Sequence, residues 1–422
     1  MIILTLLLYI PALYLVYFLR VMCAGFGIFL DMLPTVLLHG AIFAGAYWLL
    51  KFIKKLFKVP SLLPVRGEKK NNSILIFGLV TVGFTAMYAL NTYGFLSRAV
   101  GGYLIPICAY IVLALSLNLV VGISGELSLG HAGFMGVGAF TGIVVAGCLQ
   151  TSVPDPFFRL VLAMVGGGLI AGVAGFIIGM PVLRLRGDYL TIVTLAFAEI
   201  LKSLIENLYV GLDSDGIHFG MGTGSVELAE GGKMLISGAL GATGVKTIST
   251  FFAGFLLVVF TLVVVLNLIN SKEGRAIKAA RDNWIAAESV GINVTSFKLK
   301  AFVISAILAG MAGALFGLNF GSLQASKFSY TTSIDILVYV VLGGMGNMLG
   351  SIISTVVLYL IPEFLRSLAD FRMIMYAVVL ILVMLCTWSP KIKGFISQQT
   401  DSVKQFVKGL FSKKKEVTDH EG

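Results

Sequence analysis

GRAIKAARDNWIAAESVGINVTSFKLKAFVISAILAGMAG, residues 274–313, is where an oily chain turns charged and then oily again. Its first half interleaves Arg275, Lys278, Arg281, Asp282 and Glu288 with Ile277, Ala280, Trp284 and Ala287. Ile277, Ala280/Arg281, Trp284, Ala287/Glu288 and Gly291 recur at three- to four-residue spacing, which places them along one face of a short helix. Gly291 and Asn293 supply the stop. Lys298 and Lys300 stand at the mouth of the next apolar run, where long basic side chains reach back to lipid headgroups. The pattern predicts two membrane helices joined by a short amphipathic helix outside the bilayer. A plain connector needs only a few residues and no such order. Periodicity alone fits two uses: a helix resting on the membrane, basic because cytoplasmic loops are basic, or a docking element for another protein.

Composition sets the setting. Of 422 residues, 58% are hydrophobic and 12% charged, against about 25% charged in a soluble globular domain. Several runs reach the roughly 20 apolar residues that span hydrocarbon. They are continuous and lack a barrel's apolar/polar alternation, so the fold class is all-α: a polytopic helical membrane protein. The 49 glycines suit close helix packing in lipid. The net charge of +10 marks cytoplasmic loops and not nucleic-acid binding. Cys23, Cys108, Cys148 and Cys386 are scattered, with neither metal-ligand nor disulfide spacing. The chain has no complete Walker A motif and no catalytic constellation, so it reads as a non-enzyme.

Ala286-Ala287, three residues, then Gly291 resembles the coupling loop of ABC-importer permeases, which inserts into a cleft of the partner ATPase. Gly291-Ile292-Asn293 through Lys298, Ala301-Phe302 and Ala309–Gly313 resembles one family more narrowly, the membrane permease subunits of branched-chain amino-acid ABC importers. Asn118–Gly142 and Gly187–Ile200 agree, as does, more weakly, Gly343–Gly350. The resemblance covers residues 72–390; Ile285 departs from it, standing where such loops often carry a Glu. It implies that Arg275, Ile277, Arg281, Trp284, Ala286, Ala287, Glu288 and Gly291 couple the chain to an ATPase. Trp284 and Ile277 would be apolar anchors, with Arg281 and Glu288 pairing across the rim. The implied partners are a second permease in a heterodimer, two cytoplasmic ATPases that bind the ATP, an extracytoplasmic substrate-binding protein and membrane lipid. The implied location is a bacterial-type inner membrane. No cofactor or metal is expected in this chain.

The pattern predicts about ten membrane helices at roughly 20 residues each. An N-terminal pair fills residues 1–50, a basic cytoplasmic linker 51–71, the permease core 72–390 and a basic tail 391–422. Core helices are expected near Ile74–Phe95, Ala99–Val121, Leu129–Leu149, Leu160–Leu183, Tyr189–Tyr209, Thr250–Ile269, Lys300–Asn319 and Met373–Trp388. In the third of these, Gly130, Gly133, Gly138 and Gly142 fall close to one face. Polar, glycine-rich Val210–Lys246 reads as the largest external loop. Thr332–Ile361 is too long for one crossing and is interrupted by Gly343-Gly344 and Gly346-Asn347. If every run crossed once, the basic tail would end outside. A re-entrant pair bent at those glycines brings both termini to the cytoplasmic side, as would an incomplete crossing by Tyr189–Tyr209.

Glu199 and Lys202 are three apart on one helix and can pair. Unpaired at the bilayer centre they would together cost about 5–7 kcal/mol, so they face protein or water. With Asn118 and His131 they are the candidate translocation-pathway residues, although a buried Asn or His is more often a hydrogen-bonded packing residue. Two other functions fit parts of the pattern. One is a related permease for urea or another small amide. The other is an ion-coupled secondary transporter, which needs an acidic midplane site in a repeated broken-helix scaffold; Glu199 has no clear second copy. The charge map is testable by cysteine labelling of intact cells. Cysteines introduced in 51–70, at Lys278 or after Trp388 should be shielded from an impermeant reagent, and cysteines in 210–246 should react. External labelling at Lys278 overturns the map.

Overall fold

The computed structural model describes residues 98–364 apart from 151, 185–187, 214–215 and 223–231, together with parts of a helical stretch over Ile76–Thr85 and residues 87, 88, 378 and 381. The expected N-terminal pair, basic linker and tail lie outside the described residues, as does almost all of Met373–Trp388.

Long apolar helices dominate: α1 (Arg98–Asn118), α2 (His131–Cys148), α3 (Pro156–Val182), α4 (Asp188–Glu206), α5 (Phe251–Asn270), then two short helices, α6 (Lys272–Asp282) and α7 (Trp284–Ser289), followed by α8 (Val294–Gly317), α9 (Tyr330–Gly343) and α10 (Met348–Phe364). Among the described residues, five spans are long and apolar enough to cross a membrane: Gly101–Ser124, α2, α3, α5 and α8. Helix α4, which carries Glu199, Lys202 and Glu206, is not one of them. Helix α8 begins six residues earlier than the apolar run suggests, because the Asn293 side chain accepts from Ser296 N at 3.1 Å and caps it. Asp155 and Pro156 start α3 in the same way, by cap and fixed φ.

The all-α expectation needs correcting to mostly helical. Part of the glycine-rich loop folds into an antiparallel sheet in the order β2-β1-β3, from β1 (Leu208–Asp213), β2 (Gly216–Met221) and β3 (Lys233–Ser237). Asp213 opposite Gly216 closes a two-residue hairpin turn. Two further short strands, β4 (Ala242–Thr243) and β5 (Ser322–Leu323), pair with each other. The glycines that read as an open loop also permit tight turns, and alternation over six residues is too short to stand out in so apolar a chain.

The break in Thr332–Ile361 falls where expected. Helix α9 ends at Gly343, α10 begins at Met348, and the two pack on each other as a hairpin. At 14 residues α9 rises only about 21 Å, short of the roughly 30 Å hydrocarbon core.

Helix α8 is the centre of the bundle, packed on α1, α2 and α3. Contact there is backbone to backbone. A Cβ on Gly310 would stand 2.6 Å from Gly167 O, and one on Gly167 2.6 Å from Gly138 O. In lipid, such dispersion contacts replace the hydrophobic effect as the packing force. The glycines of α2 do not share one face, however. Gly138 and Gly142 abut Gly310 and Ala314 of α8, whereas Gly130 and Gly133 abut Thr194 and Ala198 of α4. At 100° per residue, the five-residue step from Gly133 to Gly138 turns about 140° round the helix, so α2 serves two neighbours. Helix α3 is two-sided in another sense: Gly167, Ala171, Gly172 and Gly175 face inward, while Phe158, Leu169, Val173 and Ile177 are exposed.

Gly310→Val should therefore destabilise the bundle by about 1–3 kcal/mol. Gly102→Ala, where an added Cβ meets nothing, should be neutral or stabilising, since Ala is the better helix former. Unfolding of the purified protein in mixed micelles checks the contrast.

Candidate functional site

The segment between α5 and α8 is built almost wholly from caps. Ser271 ends α5 and starts α6, its hydroxyl accepting from Gly274 N at 3.1 Å. Lys278 Nζ folds back to donate to Ile269 O at 3.2 Å, satisfying a free carbonyl at the end of α5. Asn283 breaks the single helix expected here into α6 and α7. It sits at φ −157° and its side chain accepts from Ala286 N at 3.1 Å, so it caps the second piece. Gly291, at φ +83°, then closes α7 with a Schellman pair: Ile292 N to Ala287 O and Gly291 N to Glu288 O, both 3.0 Å.

These turns divide the predicted coupling residues into two groups. Ile277 is completely buried against the membrane helices, so it is no anchor for a partner. Ala287, 3% exposed, packs with Ala280, Ile292 and Val294 in a small core of its own. Arg281 is exposed, and its contacts lie within the chain: Nη1 donates to Gly122 O at 2.8 Å while Nε and Nη2 hold Asp282. Arg275, Trp284, Ala286, Glu288 and Gly291 do face outward. Beside them Ile285 and Val290, which the spacing did not select, are 62% and 74% exposed. The outer face thus carries Trp284, Ile285 and Val290 in a polar surround.

Two lysines expected at the headgroups instead brace the segment. Lys298 of α8 pairs with Glu126, and Lys300 pairs with Glu273 of α6 at 2.6 Å. Glu126 follows a π-helical turn, Leu119–Ser124, that continues α1. A Cβ on Gly122 in that turn would fall inside van der Waals contact with Asn118 Oδ1 and Gly346 N.

Asn118 is fully buried and spends its whole amide on the α9–α10 turn. Oδ1 accepts from Gly346 N at 2.8 Å; Nδ2 donates to Ser351 Oγ at 2.9 Å and Asn347 O at 3.3 Å. His131 is also buried, its Nε2 2.8 Å from Ser116 Oγ. Glu199 and Lys202 do pair, at 3.3 Å. Glu199 has a second role the sequence does not show: Oε1 accepts from Tyr330 N at 2.9 Å, anchoring the start of α9. The structure thus joins Glu199 with Lys202, and Asn118 with the hairpin turn, without bringing Asn118, His131 and Glu199 into one constellation. Gly122, Gly346, Asn347 and Ser351 were missed as site residues; their only signal was the glycine clustering in Asn118–Gly142 and Gly343–Gly350.

Residues 99–387 match the family described as the permease component of branched-chain amino acid transport systems. The chain belongs to this family. Among curated relatives, the high-affinity branched-chain amino acid transport system permease protein LivM of Salmonella typhimurium is 36% identical over 301 residues, covering 67% of each chain. LivM of Escherichia coli gives the same figures. LivH of Escherichia coli is 25% identical over 65% of this chain and 88% of its own. No solved structure matches. The protein is therefore a multi-pass permease component of an ABC transport system and is not itself an enzyme. That sets aside the ion-coupled reading.

Because Glu199 serves both Lys202 and Tyr330, the permease should respond unequally to loss of the two charges. Lys202→Met removes two partly exposed pairs, with Glu199 and Glu206, each worth about 0.2–0.5 kcal/mol. Glu199→Leu also leaves the start of α9 uncapped, for a further 0.5–2 kcal/mol or so. A double-mutant cycle read by thermal unfolding checks both terms; no further loss from Glu199→Leu in the Lys202→Met background would remove the capping role.

Proposed function

We propose that this chain carries branched-chain amino acids across a bacterial inner membrane as one half of a permease heterodimer. Two cytoplasmic ATPases bind the ATP and an extracytoplasmic binding protein delivers the substrate. The membership of the family and the names of its LivM and LivH relatives support the substrate class. The observation that carries the coupling is the outward face of α7. Trp284, Ile285 and Val290 lie on the exposed side of a segment whose Ile277, Ala280 and Ala287 are already buried within the chain. Exposed large apolar groups rimmed by charge mark a contact surface, and an aromatic anchor of this kind carries a large share of interface energy.

Closure of the ATPases on ATP would push the α6–α7 unit and favour one of two arrangements of the bundle. The braces Lys298–Glu126 and Lys300–Glu273 transmit that push to α8 and to the end of α1. The α9–α10 hairpin is the re-entrant element. Its turn lies beside Gly122 on the same side as Arg281, so both ends of the hairpin emerge on the face opposite the ATPases. Asn118, His131, Glu199 and Lys202 are polar positions from which the pathway wall is built.

Trp284→Ala and Val290→Glu should reach the membrane in normal amounts, because both positions are on the exposed side of a segment outside the long apolar helices. Trp284→Ala should weaken ATPase association by about 2 kcal/mol or more, roughly 30-fold, with uptake falling alongside. The measurement is co-purification with the cognate ATPase together with uptake in the same cells. Normal ATPase binding and normal uptake in both variants would make α7 an ordinary surface helix.

A further inference from the structure

The side chain of Arg281 is 41% exposed and its guanidinium bridges two sides: Nε and Nη2 hold the exposed Asp282, while Nη1 turns inward. It reaches the carbonyl of Gly122, in the middle of the π-turn, and the stem of its side chain lies along Gly125, where a Cβ would come within 2.5 Å of Arg281 Cγ. One turn before Gly122 stands Asn118, whose amide grips Gly346, Asn347 and Ser351. The α6 helix, the end of α1 and the hairpin turn are thus joined by hydrogen bonds in series, through residues far apart in the sequence. A cleft of about 390 Å³, lined by Val121, Gly122, Gly125, Leu127, Arg281 and Met345, lies at the junction.

We propose that Arg281 is a positioning residue for transport: through the Gly122 carbonyl and the Asn118 amide, it moves the Gly344–Asn347 turn of the α9–α10 hairpin whenever the coupling segment moves. The inference deepens the importer reading and rests on it. The π-turn is the element with two arrangements. It holds one residue more than an α-turn, and Val120 O accepts from both Gly125 and Glu126 N–H groups across it. Passing that extra residue back into α1 rotates the residues between its old and new places by about 100°, the Gly122 carbonyl among them. Gly122 has no side chain to obstruct that rotation, and Gly125 already holds φ +76°. Arg281 is suited to the task because Asp282, on the same helix, holds its planar guanidinium in place, so the one hydrogen bond to Gly122 O keeps its direction when α6 moves. Lys298–Glu126 binds the far end of the same turn to α8 and fixes the frame against which it moves.

The test uses the assembled importer in liposomes, with a spin label on Met345→Cys, a position 54% exposed within the turn. In the importer otherwise unaltered, ATP should change the label's mobility; no change overturns the proposal without recourse to any variant at 281. Arg281→Met should keep its ATPase and hydrolyse ATP, yet lose the label's response to ATP and fall about tenfold or more in uptake per ATP, the loss of a charge-assisted hydrogen bond. Arg281→Lys, which keeps one donor, should lie between. A mere brace would lower the amount of folded importer and leave uptake per ATP and the label's response unchanged, and that result overturns the proposal. Loss of ATPase association in Arg281→Met also overturns it, by making Arg281 a docking residue. The docking face is tested separately by Trp284→Ala. If that variant keeps its ATPase while Arg281→Met uncouples, the face is misassigned and the relay stands.

Discussion

The amide of Asn118 is the interaction on which the half of the bundle next to the α6–α7 segment depends. A membrane chain that breaks a helix must satisfy the freed backbone groups internally. This one breaks at the π-turn and again at Gly344–Asn347. Asn118 answers for the second break, taking Gly346 N–H and giving to Asn347 O and Ser351 Oγ. Gly122 lets the two breaks meet face to face, because any side chain there would displace the amide. Without that contact neither the hairpin turn nor the arginine's carbonyl partner would have a fixed place.

The long helices were legible because lipid demands length and continuous apolarity, and both can be counted. The hairpin break was legible because glycines interrupt a run too long for one crossing. What escaped depends on which way a side chain turns. Ile277 and Trp284 share a helical spacing, but Asn283 breaks the helix between them, so one is buried and the other exposed. Arg281 was expected to pair across the rim with Glu288; its carbonyl partner lies 159 residues away in sequence, beyond the reach of any periodicity. Lys298 and Lys300, expected at headgroups, find Glu126 and Glu273 instead.

The glycines show the same limit. Their number pointed to close packing, and α2, α3 and α8 do meet through Gly138, Gly167 and Gly310. Their apparent alignment on one face of α2 overlooked a five-residue step, which sends Gly130 and Gly133 to α4 instead of α8. The small sheet was missed for the opposite reason: its glycines looked like absence of structure, when Gly216 makes the turn that lets Leu208–Asp213 and Gly216–Met221 pair.

Helix α3, with small residues inward and Phe158, Leu169, Val173 and Ile177 outward, inverts the arrangement of a water-soluble helix. Its separation from the bundle within lipid would transfer little apolar surface to water. The heat-capacity increment that bends the stability curve of soluble domains comes from such transfer. Stability of this helix contact should therefore vary almost linearly with temperature, with no cold limb, and an organism growing in the cold would have to loosen the contact through the glycines themselves.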